Sequence, residues 1–240
     1  MLVLGIDPGT ATSLLFRLPG QYLVPGKVTL PYGVAGEIST QTAGVYFDAR
    51  VYAADTRYNR VSDEALDTTL RATTNDLFAG PAGDGVLGDY AMIDGSGTIT
   101  NIALRTAGSR TVTANDQGGT LGATVSGGFL LLPGTPNKLR AIVEGEDREP
   151  GSTGNGRTGA PDGQQAGFPF TVTVDITDSF WNLTPGASQE VRLTADDPAA
   201  LIVPASQIIT GSATFTVTPV RAGNTVLTAA TELANLGPGR

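Results

Sequence analysis

The chain has 240 residues, 32 of them Gly and 15 Pro, with only 16% charged residues and a formal net charge of −8; that length suits one large domain or two of ordinary size. It has no histidine and no cysteine, which removes the commonest general base, the commonest transition-metal ligands and any disulfide frame. The negative charge argues against nucleic acid as a partner, because affinity for a phosphate backbone comes from Lys and Arg, and no apolar run reaches the ~18 residues that span a membrane.

In chain order, the first feature is the short apolar run Leu2, Val3, Leu4, Gly5 and Ile6. It lacks the basic flank and cleavage pattern of a signal peptide. A Pro8-Gly9-Thr10 turn follows, then a strand over residues 14–18. Phe47, Ala49, Val51 and Ala53 occupy every second position, the period of a half-buried strand. Residues 63–70 could make one helical turn, but their match to residues 187–193 favours a strand. Further strands are expected over 99–104 and 110–114. The glycines Gly118, Gly119, Gly122, Gly127 and Gly128 lack the strand-to-helix context of a dinucleotide fingerprint and read as an interdomain linker. Beyond them, residues 139–143 open a second series. Phe170, Val172, Val174 and Ile176 alternate with Thr171, Thr173 and Asp175, predicting one apolar and one polar face. Short strands over 191–193, 215–217 and 225–227 follow, separated by turn sequences at 183–186 and 222–224.

The chain also matches itself. Pro8-Gly9-Thr10 recurs as Pro133-Gly134-Thr135, and Pro25-Gly26 as Pro150-Gly151, at an offset of 125. Asp55, Tyr58 and Asn59 recur as Asp178, Trp181 and Asn182 at an offset of 123, and Thr113-Ala114 as Thr228-Ala229 at 115. An offset that falls in steps is expected when loops change length and strands do not. The last step puts eight extra residues in the first copy, in the Gly/Asp-rich run around 79–94. The division expected is an N-terminal strand or linker over 1–10, a first domain over 11–116, a linker over 117–132 and a second domain over 133–240.

Several short strands in roughly 100 residues, made twice, point to two tandem all-β, antiparallel, immunoglobulin-like sandwiches. Residues 165–182, with Phe170-x-Val172-x-Val174 running into Asp178-x-x-x-Asn182, resemble the opening strands of bacterial Ig-like tandem repeat domains of secreted and cell-surface proteins. Residues 210–229 resemble that family's closing strands, and 46–59 with 99–114 show the same features more faintly. The resemblance implies a structural role outside the cell or on its surface: a spacer, stalk, adhesin arm or fibre subunit. Phe47, Tyr58, Phe170, Trp181 and Phe215 are the expected core and turn residues.

Residues 2–7 precede the first Pro-Gly-Thr as residues 127–132 precede the second. They read either as a linker from a preceding unit or as a donated strand, in which Leu2, Val3, Leu4 and Ile6 add to a sheet edge of another subunit and build a fibre; an ordinary first strand of domain 1 is a third reading. Asp84, Asp89 and Asp94 in a Gly-rich stretch form a candidate Ca²⁺ loop, set against a plain polar loop. Glu144, Glu146, Asp147 and Glu149 read as a solvated loop in preference to a catalytic carboxylate pair. Asn182-Leu183-Thr184 fits an N-glycosylation acceptor. An aromatic platform at Trp181 would suit a sugar ring. The function expected is therefore a non-catalytic subunit of an extracellular fibre, pilus-like filament or stalk. Its partners would be copies of itself or neighbouring Ig-like domains, and no cofactor is implied. The alternative is an adhesin or carbohydrate-binding module holding a glycan or host surface.

Overall fold

The computed structural model describes residues 3–231. They form two compact units. Unit 1 runs to Leu104 and resumes over Gly108–Leu132, while unit 2 takes Arg105–Ala107 and the chain from Pro133 onward. The strands pair antiparallel almost throughout, and both units are immunoglobulin-like β-sandwiches.

Unit 1 holds β1 (Ser13–Arg17), β2 (Tyr22–Leu23), β3 (Val34–Ala35), β4 (Gln41–Thr42), β5 (Phe47–Ala54), β6 (Thr68–Thr74), β7 (Val86–Ile93), β8 (Ser96–Ile102), β9 (Gly108–Arg110), β10 (Val112–Asp116), β11 (Ala123–Val125) and β12 (Phe129–Leu132). Seven of these form one sheet in the order β1-β5-β8-β7-β6-β10-β11. It folds over at the tight β7–β8 turn, where only Met92↔Gly97 and Ile93↔Ser96 pair. Gly97 then faces Leu70 of β6 so closely that a Cβ would stand 2.9 Å from Leu70 Cδ1. The predicted apolar face of β5 is present, with Phe47, Ala49, Val51 and Ala53 buried; Asp48 and Arg50 of the other face are exposed, but Tyr52 and Ala54 of that face are buried as well. Residues 63–70 divide into a 3-10 turn over Glu64–Leu66, capped by Asp63, and the first part of β6.

Residues 117–132 are not a linker. β11 pairs with β10 (Ala114↔Thr124), and β12 lies between β4, to which it runs parallel, and β9. The glycines at 118 and 119 belong to the β10–β11 turn, which is held by Asp116: its carboxylate accepts from the amides of Gly118, Thr120 and Leu121 and from the Thr68 hydroxyl. A glycine-rich hairpin turn and a flexible linker share a composition, and here the carboxylate at its base makes the difference.

Unit 2 holds β13 (Lys138–Ile142), β14 (Glu146–Arg148), β15 (Arg157–Gly159), β16 (Phe170–Thr177), β17 (Ser188–Ala195), β18 (Leu201–Val203), β19 (Ser206–Thr210), β20 (Ser212–Thr218) and β21 (Leu227–Thr231). One sheet has the order β13-β16-β20-β18, the other β19-β17-β21. Leu139, Val172, Val174, Ile176, Phe215 and Val217 of the first pack against Val191, Leu193, Ile209 and Ala229 of the second. Burying each large apolar side chain is worth about 1.5–3 kcal/mol, so this interface is the main stabilising element of the unit. The sequence match holds at the level of register: Phe47 faces Ile102 across β5 and β8 as Phe170 faces Val217 across β16 and β20.

Asp175 lies on the polar face of β16, yet it is fully buried. The hairpin β14–β15 supplies the reason, since its Arg148 side chain reaches Asp175; the corresponding hairpin of unit 1 is β2–β3.

Candidate functional site

Both units use the same clasp. Asp55 accepts from the amides of Gly9, Arg57 and Asn59 and from the Asn59 side chain. Asp178 accepts from the amides of Gly134, Phe180 and Asn182 and from the Asn182 side chain. Each carboxylate thus ties the Pro-Gly-Thr segment before the first strand of its unit to the turn that follows β5 or β16. The turn places a bulky aromatic in left-handed backbone, at φ +61° for Tyr58 and +63° for Trp181. Such a conformation is costly for these residues and persists only where its surroundings over-determine it. Hydrogen bonds from the Asn59 side chain and the Gly9 amide hold the Asp55 carboxyl below the usual carboxylate range against the opposing effect of desolvation.

The aromatic is packed in both units. Tyr58 stacks on Tyr32 with ring centroids 4.8 Å apart. Trp181 donates from Nε1 to the Gly154 carbonyl and has the Lys138 ammonium 4.3 Å from its ring centroid. Gly156 lies so close that a Cβ there would stand 2.3 Å from Trp181 Cγ. Trp181 is half-buried, and these contacts make it an anchor of the turn. Asn182 is 1% exposed, donates to Asp178 and to the Arg105 carbonyl, and accepts from the Ala107 amide. The acceptor asparagine of the glycosylation motif is therefore sequestered in the folded chain.

Beside the clasp the two units differ. In unit 1, Leu15, Val34, Tyr52 and Ala54 form a small apolar cluster with Leu23 and Tyr58. The matching positions of unit 2 hold Arg140, Arg157, Asp175, Thr177, Arg148 and Trp181. Arg140 and Arg148 both donate to Asp175, Ser212 donates to it at 2.6 Å, and Arg140 also donates to the carbonyls of Gly156 and Trp181. Burial works to raise the Asp175 pKa, but the Arg148, Ser212 and Arg140 hydrogen bonds outweigh it and hold the carboxyl below its ordinary value.

The candidate Ca²⁺ ligands are not brought together. Asp84 caps the loop before β7 by accepting from the Val86 amide, Asp89 pairs with Arg71 across to β6, and Asp94 sits in the β7–β8 turn. Strand β7 separates them, and at roughly 3.3 Å per residue it spreads Asp84 and Asp94 over its length; among the described residues no three carboxylates gather to hold a metal. Of the acidic run near residue 146, Glu146 pairs with Arg157 and accepts from the Val143 amide, while Glu144 and Asp147 are exposed. Phe47 meets Phe129 edge-on, Phe170 is half-buried against the unit 2 core, and Phe215 is buried within it.

Unit 2 holds a groove of about 560 Å³. Its apolar floor is Ala141, Val172 and Val217, Phe170 flanks it, and residues 163–166 and 221–227 form its walls. Sequence reasoning missed it, although the repeat held the signal. In unit 1 the corresponding place is filled by β12, whose Phe129 and Leu131 are buried. Of the predicted amino-terminal segment, Val3, Leu4 and Ile6 are 81%, 78% and 86% exposed and belong to no strand. Leu2 lies outside the described residues.

No family model matches the chain, and no curated protein matches it. Among solved structures, it is similar to a glycosyl hydrolase family 2 member from Bacteroides cellulosilyticus, at 13% identity over 95% of this chain and 28% of that one, with a TM-score of 0.33. It is also similar to the adhesin InvE of Yersinia pseudotuberculosis (16% identity, 80% and 53% covered, TM-score 0.31) and to fibronectin(III)-like modules of Clostridium thermocellum CbhA (12%, 95% and 89%, 0.26). The chain thus spans under a third of the length of the glycosidase it matches.

Proposed function

We propose that this chain is a non-catalytic structural element displayed outside the cell or on its surface, a segment of a fibre or stalk built from Ig-like units. The observation that carries this reading is the duplicated clasp: Asp55 and Asp178 each spend their carboxylate on backbone amides that fix the entry to a sandwich. Polar chemistry repeated in both units and consumed by backbone is the pattern of a modular scaffold, in which strands bear load and the same joint recurs. The competing reading is a module that holds a glycan or host protein through a loop or the Trp181 region; Trp181 is half-buried and already engaged by Gly154 and Lys138.

The test is immunogold labelling of intact cells with and without protease shaving. Label on projecting structures, removed by protease, is the expected result. Label confined to the cell interior would overturn the reading.

A further inference from the structure

The groove in unit 2 is the place of a strand. In unit 1, β12 lies there, with Leu131 opposite Gln41 of β4 and Gly108 of β9, and Leu130 opposite Ser109. The wall sequences have counterparts in unit 2. Gln164-Gln165-Ala166-Gly167 match Gln41-Thr42-Ala43-Gly44, and Gly223-Asn224-Thr225 match Gly108-Ser109-Arg110. Even the closing bond is shared: Gly44 N donates to the Leu104 carbonyl at 2.8 Å, and Gly167 N to the Pro219 carbonyl at 2.7 Å. What differs is cover. Leu18, Ala43, Phe47 and Val112 are buried in unit 1, while their counterparts Val143, Phe170 and Leu227 are half-buried and Ala166 is exposed.

The chain carries a segment of matching pattern. Aligned on the two Pro-Gly-Thr turns, Leu4 falls at Phe129, Gly5 at Leu130, Ile6 at Leu131 and Asp7 at Leu132. In β12 the first and third of these are buried and the second and fourth are about half exposed. Leu4 and Ile6 would therefore enter the groove, while Gly5 and Asp7 would face water with no charge buried. The segment is as close to the clasp that follows it as β12 is to its own: two residues separate Ile6 from the clasped Gly9, and Leu131 from the clasped Gly134.

We infer that the groove of unit 2 is the acceptor for residues 3–7 of a second copy of this chain, seated in the register of β12, parallel to residues 164–165 and antiparallel to residues 223–225. The joint between copies then repeats the strand-and-clasp arrangement built around residues 129–134. A small ligand would also suit the volume, since such pockets run from about 300 to 1,000 Å³, but the match of both wall sequences to those flanking β12 favours a strand. Donor and acceptor lie on different units, so the contact is head-to-tail and generates a filament where its rotation does not close. The fibre reading supplies its biological setting; the contact itself rests on the groove.

The absence of native cysteines makes the register directly testable. Gly5→Cys and Asn224→Cys together reproduce the Leu130–Ser109 pairing, at the Cα separation of directly opposed antiparallel residues, which suits a disulfide. Expected are a ladder of cross-linked oligomers on a non-reducing gel, concentration-dependent growth in sedimentation velocity, and loss of both when Leu4→Asp and Ile6→Asp are added. Those side chains are exposed in the single chain, so circular dichroism should be unchanged. A single-chain species at every concentration would sink the proposal. So would a ladder that survives the donor substitutions, or cross-links closed within one chain. A small sugar or peptide occupying the groove would appear as the first of these outcomes. None of them bears on the surface labelling, which tests the broader reading separately.

Discussion

Arg140 and Asp175 of unit 2 meet at 2.7 Å, both fully buried, at the paired strand positions that Leu15 and Tyr52 hold in unit 1. One fold position is thus solved in two ways, by an apolar cluster and by an ionic one. The ionic solution needs every partner. Asp175 takes hydrogen bonds from Arg140, Arg148 and Ser212, and Arg140 spends its remaining donors on two carbonyls. A buried ion pair is no more stabilising than a well-packed apolar set, but breaking one half of it strands a charge.

Asp175→Ala should therefore destabilise unit 2 by about 3–5 kcal/mol. Installing the unit 1 residues together (Arg140→Leu, Arg148→Leu, Arg157→Val and Asp175→Tyr) should recover most of that loss. Urea denaturation of the three chains checks both statements. A quadruple variant weaker than the single one would show that the ionic cluster has no apolar equivalent in this unit.

Stability should be flat between about pH 5 and 8 and should fall in acid. No histidine titrates in that range. Asp55, Asp116, Asp175 and Asp197 all have carboxyl pKa values below the ordinary one. A depressed folded-state pKa contributes stability that is complete above the unfolded value near 3.9 and is lost as pH falls through the lower folded value. Unfolding midpoints measured from pH 8 to pH 2 should therefore begin to drop near pH 4 and keep dropping below it.

Removing a clasp should act locally. Asp178→Ala leaves the amides of Gly134, Phe180 and Asn182 without their acceptor, at about 1–3 kcal/mol for a donor left unsatisfied. Hydrogen exchange should accelerate at those three amides, and Gly9, Arg57 and Asn59 in the other clasp should keep their protection. Asp55→Ala should do the reverse.

Gly156→Ala should cost about 2 kcal/mol or more, because the position has a positive φ and the new methyl would collide with the indole. Gly163→Ala, with nothing within 4 Å of the added carbon, is the control. The chain has one tryptophan, so its fluorescence should shift for Gly156→Ala and stay constant for Gly163→Ala. Equal melting temperatures for the two variants would refute the packing role given to Trp181.

The sequence by itself determined the all-β class, the alternation of β5 and the core face of β16, because side chains on a strand alternate with period two whatever packs on them. It also determined the duplicated Asp-x-x-aromatic-Asn turn, whose hydrogen bonds lie mostly within five residues. Tertiary structure decided the rest. Asp175 reads as one residue of a polar face until a hairpin closes over it and brings Arg148 to its carboxylate. Residues 117–132 read as a linker until Asp116 gathers their amides and β12 fills the gap between β4 and β9. The groove of unit 2 is visible only once that filled site has been seen. Alternation reports which face a residue is on, whereas burial of the second face, and of an edge, depends on segments distant in the chain.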